Sequence, residues 1–144
     1  METAARALGR QILIVKAGTE SEFDAAFSRI VQAGARALFV GSGAFYNSSR
    51  RQLAALAARH ALPASWQLRE FVVAGGLMSY GTSDTNAYRR SGLYVGRILK
   101  GEKPSEMPVE MPSKFELVIN LATTKALGLA MPSSMQLLAA EVIE

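Results

Sequence analysis

QILIVKAGTESEFDAAFSRIVQAGARALFVG, residues 11 to 41, is the stretch that decides the fold class of this chain of 144 residues. It opens on a run of branched apolar side chains, 11–17, and closes on a second one, 37–41, and both patterns favour buried strands. Between them, Thr19 and Glu22 have the spacing of a capping box, and apolar residues then recur at helical spacing. Strand, helix and strand joined by short connections predict an α/β fold, a parallel sheet flanked by helices.

The rest of the chain continues this pattern. Asn47 or Ser48 is suited to cap a second helix, and a third strand is expected around 64–67. The later elements are two apolar stretches around a glycine pair (71–81), a helix (84–100), an extended connector with three prolines (102–114), a strand (115–120), a short helix (121–128) and a final amphipathic stretch (133–144).

Composition narrows the possible functions. Apolar residues make up 49% and charged residues 19%, as in ordinary globular proteins. The chain has no cysteine and a single histidine, so there is too little to build a zinc site or a histidine-based triad. We therefore expect no catalytic residues, no metal and no cofactor. The net charge of +4 comes from scattered arginines without an aromatic RNA-binding motif, so nucleic acid is not an expected partner.

We expect neither a membrane-spanning segment nor an export signal in this sequence. No apolar run approaches the roughly 20 residues of a membrane span. The start, METAARALGRQ, lacks the apolar segment of a signal peptide.

The loops that follow the predicted strands hold the candidate site. Ligands bind parallel α/β sheets at the carboxyl ends of strands, and these loops carry hydroxyl groups, aromatic rings and single charges. This favours binding of a small organic molecule. The glycines at 41 and 43 lack the spacing of a dinucleotide or phosphate loop. The candidate ligand-binding residues are Ser42, Phe45, Trp66, Arg69, Tyr80, Ser83, Asp84 and Tyr88.

Each of these residues also has a plain structural explanation. Asp84 either accepts a hydrogen bond from a ligand ammonium group or caps its own helix. Phe45 and Trp66 either stack on a ligand or pack in the core. Arg69 either pairs with a ligand carboxylate or forms an exposed ion pair. The residues alone leave these alternatives open.

Three segments of the chain resemble a known family: AYRRSGLYVGRILKGEKPSEMPVE (87–110), KFELVINLATTKALGLAMPSS (114–134) and AAEVIE (139–144). They are similar to the C-terminal portion of ABC transporter substrate-binding proteins of the tryptophan and tyrosine uptake type, which have the type I periplasmic-binding-protein fold. The likeness runs from about residue 4 to the end of the chain.

The resemblance implies a periplasmic, two-lobed protein that closes on a solute and docks on ABC permease subunits without breaking a bond. Residues 1–144 then form a single truncated lobe, and the helix and connector at 82–112 cross to the missing lobe. Because a helix face there has no partner, we expect a homodimer. The cleft contacts carried over by the resemblance are Ser42, Phe45, Tyr80, Ser83, Asp84 and Tyr88.

The ligand stays open at this point. An amino acid, an aromatic acid and another small organic anion all fit the loops. The alternative function is that of a ligand-sensing α/β regulatory domain without catalysis, although no helix-turn-helix segment accompanies it. A flavodoxin-like enzyme would need a phosphate loop or an acid–base pair, and the sequence shows neither.

Overall fold

The computed structural model describes residues 2–111 and 114–144. Pro112 and Ser113, at the end of the predicted connector, lie outside the described residues, as does Met1. The helices are α1 (Glu2–Ala7), α2 (Phe23–Gln32), α3 (Ala44–Ser48), α4 (Arg50–Arg59), α5 (Arg69–Val73), α6 (Asp84–Leu99), α7 (Leu121–Ala126) and α8 (Ser133–Leu138). The strands are β1 (Leu38–Phe39), β2 (Ala64–Trp66), β3 (Met78–Thr82), β4 (Phe115–Asn120) and β5 (Glu141–Ile143), and short 3₁₀ turns cover Glu20–Glu22 and Pro104–Glu106.

The five strands form one sheet in the order β1-β2-β3-β4-β5. The predicted α/β class is confirmed, and the sheet is mixed where a parallel one was expected. β3 and β4 pair in antiparallel register from Met78 with Ile119 to Thr82 with Phe115, and the other three pairings are parallel. β4 runs opposite to β3 because α6 and the connector bring the chain back to the end of the sheet at which β3 left it.

The prediction of a strand at 11–17 is wrong. This segment forms neither a helix nor a strand and pairs with none of the described strands. Ile12, Leu13 and Ile14 are 42%, 49% and 63% exposed. An apolar run becomes a strand only when a neighbouring strand accepts its backbone hydrogen bonds, and β1 pairs with β2 alone.

The start of α2 follows the prediction. The Glu22 carboxylate accepts hydrogen bonds from the backbone N–H groups of Gly18 at 2.6 Å and Thr19 at 3.3 Å. The helix stops at Gly34, whose φ of +70° lies in the left-handed region that glycine tolerates. Its buried face consists of Phe23, Ala26, Phe27 and Ile30.

Helices α2, α4 and α5 build the main core against one face of the sheet. Trp66 of β2 is fully buried and stacks on Phe71 of α5, with ring centroids 4.5 Å apart. A buried aromatic side chain contributes about 1.5–3 kcal/mol through the apolar area that it removes from water. Gly76 completes this packing, because a Cβ there would lie 2.6 Å from Trp66 Nε1.

The remaining differences concern element ends. Of the two apolar stretches around the glycine pair, the first belongs to α5 and the second to β3, and α3 precedes the helix that was expected to begin near residue 48. The final amphipathic stretch divides into α8 and β5. β5 forms because the open edge of β4 supplies backbone partners for Glu141–Ile143.

Candidate functional site

A small polar pocket lies at the carboxyl ends of β2 and β3, where the loop after β2 meets the start of α6. Its volume is about 40 Å³. One water molecule needs about 10–15 Å³ of such space, so the pocket admits a group of about three heavy atoms and no whole amino acid. Its polar lining includes Gln67, Glu70, Ser79, Thr82, Asp84 and Glu116.

A close backbone contact holds one wall of this pocket. A Cβ at Gly81 of β3 would lie 2.0 Å from the carbonyl oxygen of Gln67. Only glycine lets β3 approach the loop after β2 so closely, since any other side chain would push the two apart. Gly81 therefore sets the distance between the strand and the loop.

The start of α6 leaves one carboxylate free. The Ser83 hydroxyl accepts a hydrogen bond from the backbone N–H of Asn86 at 3.4 Å and so caps the helix. Asp84 follows in the first turn and makes no hydrogen bond or ion pair with the described residues. The helix is thus capped by Ser83 and not by Asp84, which leaves the Asp84 carboxylate available to a ligand.

Ser79 contributes a buried hydroxyl to the same pocket. Its side chain is 1% exposed, and it makes no hydrogen bond with any of the described residues. The Ser79 hydroxyl can therefore bond to a water or ligand atom that enters the pocket. The pocket therefore offers one free hydroxyl beside one free carboxylate.

Arg69 reaches the pocket but is already paired. Its guanidinium donates two hydrogen bonds to the Glu141 carboxylate, at 2.5 and 2.6 Å. These hydrogen bonds lower the pKa of Glu141 below its usual value. Glu116 is likewise paired, with Lys114 at 3.1 Å. The unpaired charges that remain at the rim are the carboxylates of Glu70 and Asp84, which attract a cationic group.

The structure separates the two tyrosines from this pocket. Side chains alternate along a strand, so Tyr80 points to the sheet face opposite Ser79 and Gly81. Tyr80 stacks there on Phe115, with ring centroids 5.7 Å apart. Tyr88 is 78% exposed on α6.

Three further candidates lie outside the pocket lining. Ser42 is exposed in the loop after β1. Phe45 is half-buried and packs on Phe23, with ring centroids 5.4 Å apart. Trp66 has no exposed surface, and core packing accounts for it. Ligand contact by these residues and by the two tyrosines stays a prediction without support from their positions.

Sequence reasoning did not single out Ser79, Gln67, Gly81 or Glu116. Ser79 and Gly81 carried no signal, because nothing in the sequence says which residues of β3 face the loop. Glu116 comes to the pocket through the antiparallel pairing in which it lies opposite Gly81. That pairing was not predicted.

A larger groove of about 940 Å³ lies between α6 and the connector. The Tyr94 hydroxyl of α6 donates a hydrogen bond of 2.6 Å across this groove to the Pro108 carbonyl oxygen of the connector.

None of the helices in the described part of the chain is long and apolar enough to cross a membrane.

Comparison with known proteins identifies one family. Residues 4–143 match the model of the family described as ABC transporter substrate binding protein. No curated protein sequence matches the chain.

Solved structures are similar in fold. An ABC domain from Streptococcus pneumonia in complex with L-Trp has a TM-score of 0.88 at 22% identity, with 99% of this chain and 48% of that chain covered. A conserved domain protein from Vibrio cholerae has a TM-score of 0.87 at 19% identity, with 97% and 47% covered.

A ligand-free, open substrate-binding protein with adhesive properties from Clostridium difficile has a TM-score of 0.68 at 23% identity, with 98% and 47% covered. The chain thus spans about half the length of these structures.

Proposed function

Since the chain belongs to the ABC transporter substrate-binding protein family, we propose that it captures a small organic solute, an amino acid, and serves delivery to ABC permease subunits. The family is one of binding proteins, so the proposed capture is reversible and breaks no bond. Because solute capture for an ABC permease takes place outside the cytoplasmic membrane, we place the protein in the periplasm. The similar fold of a structure that holds L-Trp supports the choice of an amino acid.

The polar pocket is the observation that carries this proposal. It offers the free Asp84 carboxylate, the buried Ser79 hydroxyl and no unpaired cation in its described lining. An ammonium group fits both its charge and its volume of about 40 Å³. The carboxylate and side chain of the solute then lie outside the pocket.

We also propose that α6 and the connector, residues 82–111, form the part that reaches toward a second lobe, and that the chain forms a homodimer. A lobe that covers only one side of a solute leaves much of the ligand surface in water. We therefore expect the isolated chain to bind weakly, with a dissociation constant in the millimolar range.

NMR titration of the isotope-labelled chain tests the proposal, because it detects weak binding and locates it. We expect L-tryptophan and L-leucine to shift the amide signals of Ser79, Gly81 and Asp84. The matching acids that lack the amino group should leave these signals in place.

A matched pair of variants tests the carboxylate. Asp84→Asn should weaken amino-acid binding at least about tenfold, which corresponds to about 1.4 kcal/mol. Glu144→Gln removes an exposed carboxylate outside the pocket and should change nothing. Equal binding of the deaminated acids, or full affinity in Asp84→Asn, would show that the pocket does not take the ammonium group.

A further inference from the structure

Arg69 keeps hydrogen-bond donors that its pair with Glu141 does not use. An arginine side chain carries five N–H groups in a planar fork. The Glu141 carboxylate accepts hydrogen bonds from Nε and Nη2, at 2.5 and 2.6 Å. The two N–H groups of Nη1 and the second one of Nη2 make no hydrogen bond with the described residues. One edge of the guanidinium group is therefore occupied, and the edge formed by Nη1 and Nη2 is free.

Strand pairing places this ion pair on the sheet face that holds the polar pocket. Ser79 of β3 lies opposite Val118 of β4, and Val118 lies opposite Glu141 of β5. Residues paired in this way point to the same face of a sheet, and Ser79 and Val118 both line the pocket. At a strand spacing of about 4.8 Å, Glu141 lies about 10 Å from Ser79 along this row. Arg69 therefore meets Glu141 beside the pocket.

The Arg69 side chain reaches Glu141 from the other side of the pocket. Its backbone follows two residues after Gln67, whose carbonyl oxygen lies against Gly81 of β3. Its guanidinium ends at β5, which is two strands away from β3 in the sheet. The side chain of Arg69 thus extends over β4 along the pocket, in agreement with its place in the pocket lining.

The charges around the guanidinium belong to the same pocket. Hydrogen bonding to Glu141 raises the pKa of Arg69 above its usual value, and the charges of Glu70 and Glu116 act in the same direction. Glu70 and Glu116 both line the pocket, so the guanidinium lies near enough to interact with its rim. Among the described residues of the lining, Arg69 is the one cation.

We propose that Arg69 binds the carboxylate of the solute with its free edge while the solute ammonium group lies at Ser79 and Asp84. This rests on the proposed function, in which the pocket takes the ammonium group, and it narrows the solute to molecules that carry both charges. A guanidinium edge and a carboxylate match in shape and form two parallel hydrogen bonds. The pocket of about 40 Å³ leaves the carboxylate at its mouth, where Arg69 lies.

The pair with Glu141 makes this contact less costly to form. The side chain of Arg69 is 47% exposed, and a long exposed side chain loses rotamer freedom when it binds a ligand. Two hydrogen bonds to Glu141 already hold the guanidinium in one orientation before the solute arrives. The exposed ion pair and the carboxylate contact, the two roles considered for Arg69, are therefore compatible.

Three matched ligands test the role of Arg69 by NMR titration. They are L-leucine, 3-methylbutylamine, which is leucine without the carboxylate, and 4-methylpentanoic acid, which is leucine without the amino group. The unmodified chain should bind leucine about tenfold more tightly than the amine, because only leucine adds charge-assisted hydrogen bonds to Arg69. The side-chain Nε–H signal of Arg69 should shift more with leucine than with the amine.

Two variants assign the difference to the arginine. Arg69→Gln should weaken leucine binding about tenfold and leave the amine bound as tightly or more tightly, because the loss of a positive charge does not reduce the attraction of a cation. Arg29→Gln removes the same charge from an exposed position of α2 outside the pocket lining and should change neither affinity. The dispersion of the amide signals checks that each variant is folded.

The outcomes separate this proposal from the proposed function. Equal affinity of the unmodified chain for leucine and the amine, or an equal loss of both affinities in Arg69→Gln, would overturn the role of Arg69 and leave the ammonium pocket standing. Binding of 4-methylpentanoic acid as tight as that of leucine would overturn the ammonium pocket, on which the proposal rests. Absence of binding by all three ligands would overturn both.

Discussion

Replacing Gly81 with alanine should loosen the junction between β3 and the loop that follows β2. The added Cβ would lie 2.0 Å from the carbonyl oxygen of Gln67 and 3.1 Å from its carbonyl carbon. Both atoms belong to the backbone, so no side-chain rotation relieves the contact. The strand and the loop must move apart by about 1 Å, and overpacking of this kind costs about 1–3 kcal/mol. Such a loss is large beside a typical unfolding free energy of about 5–15 kcal/mol.

Urea unfolding followed by the fluorescence of Trp66, which is fully buried, measures this effect. With a slope of about 1–3 kcal/mol per molar urea, we expect the midpoint to fall by about 1 M. Gly41→Ala is the control, because a Cβ at Gly41 meets nothing within 4 Å and its backbone lies outside the left-handed region. If both variants unfold at the same urea concentration as the unmodified chain, the close contact at Gly81 does not affect the free energy of unfolding, and the reasoning is refuted.

Two further predictions concern polar contacts. Glu22→Ala removes the acceptor for the N–H groups of Gly18 and Thr19 and should cost about 0.5–2 kcal/mol in urea unfolding; an unchanged midpoint would mean that water replaces the cap. The lowered pKa of Glu141 means that its pair with Arg69 stabilises the fold above the unfolded carboxyl pKa of about 4.3, and that this contribution is lost as the pH falls through the lower folded pKa. Because the pair is partly exposed, Glu141→Gln should destabilise by less than about 1 kcal/mol at pH 7, and the difference from the unmodified chain should vanish near pH 2; a difference that persists there would assign the effect to packing.

Sequence reasoning succeeded where an element depends on neighbours within a few residues. The cap at Glu22, predicted from its spacing to Thr19, is present as a local hydrogen-bond effect. The strand 115–120 was likewise predicted with its observed bounds. The run at 11–17 has the same apolar character but no strand beside it. Strand formation there depends on a partner that no local pattern reports.

The site was predicted in part for the same reason. Ser83 and Asp84 stand at a strand-to-helix junction, which is visible in the sequence and lines the observed pocket. Tyr80 is their neighbour in sequence but lies across the sheet, because alternate residues of β3 face opposite sides. Arg69 also lines the pocket, yet Glu141, seventy-two positions away, takes up its charge.

The sequence by itself determined the α/β class, the start of α2, the span of α6, and the family. These follow from apolar periodicity, caps and short motifs, in which the interacting groups are close in the chain. Only the tertiary structure decided that β4 runs antiparallel to β3, that Ser79 and Glu116 join Asp84 at one pocket, and that no residue of α6 is buried. Those features arise from the pairing of distant segments, where many registers satisfy the local preferences and the packing of the whole chain selects one.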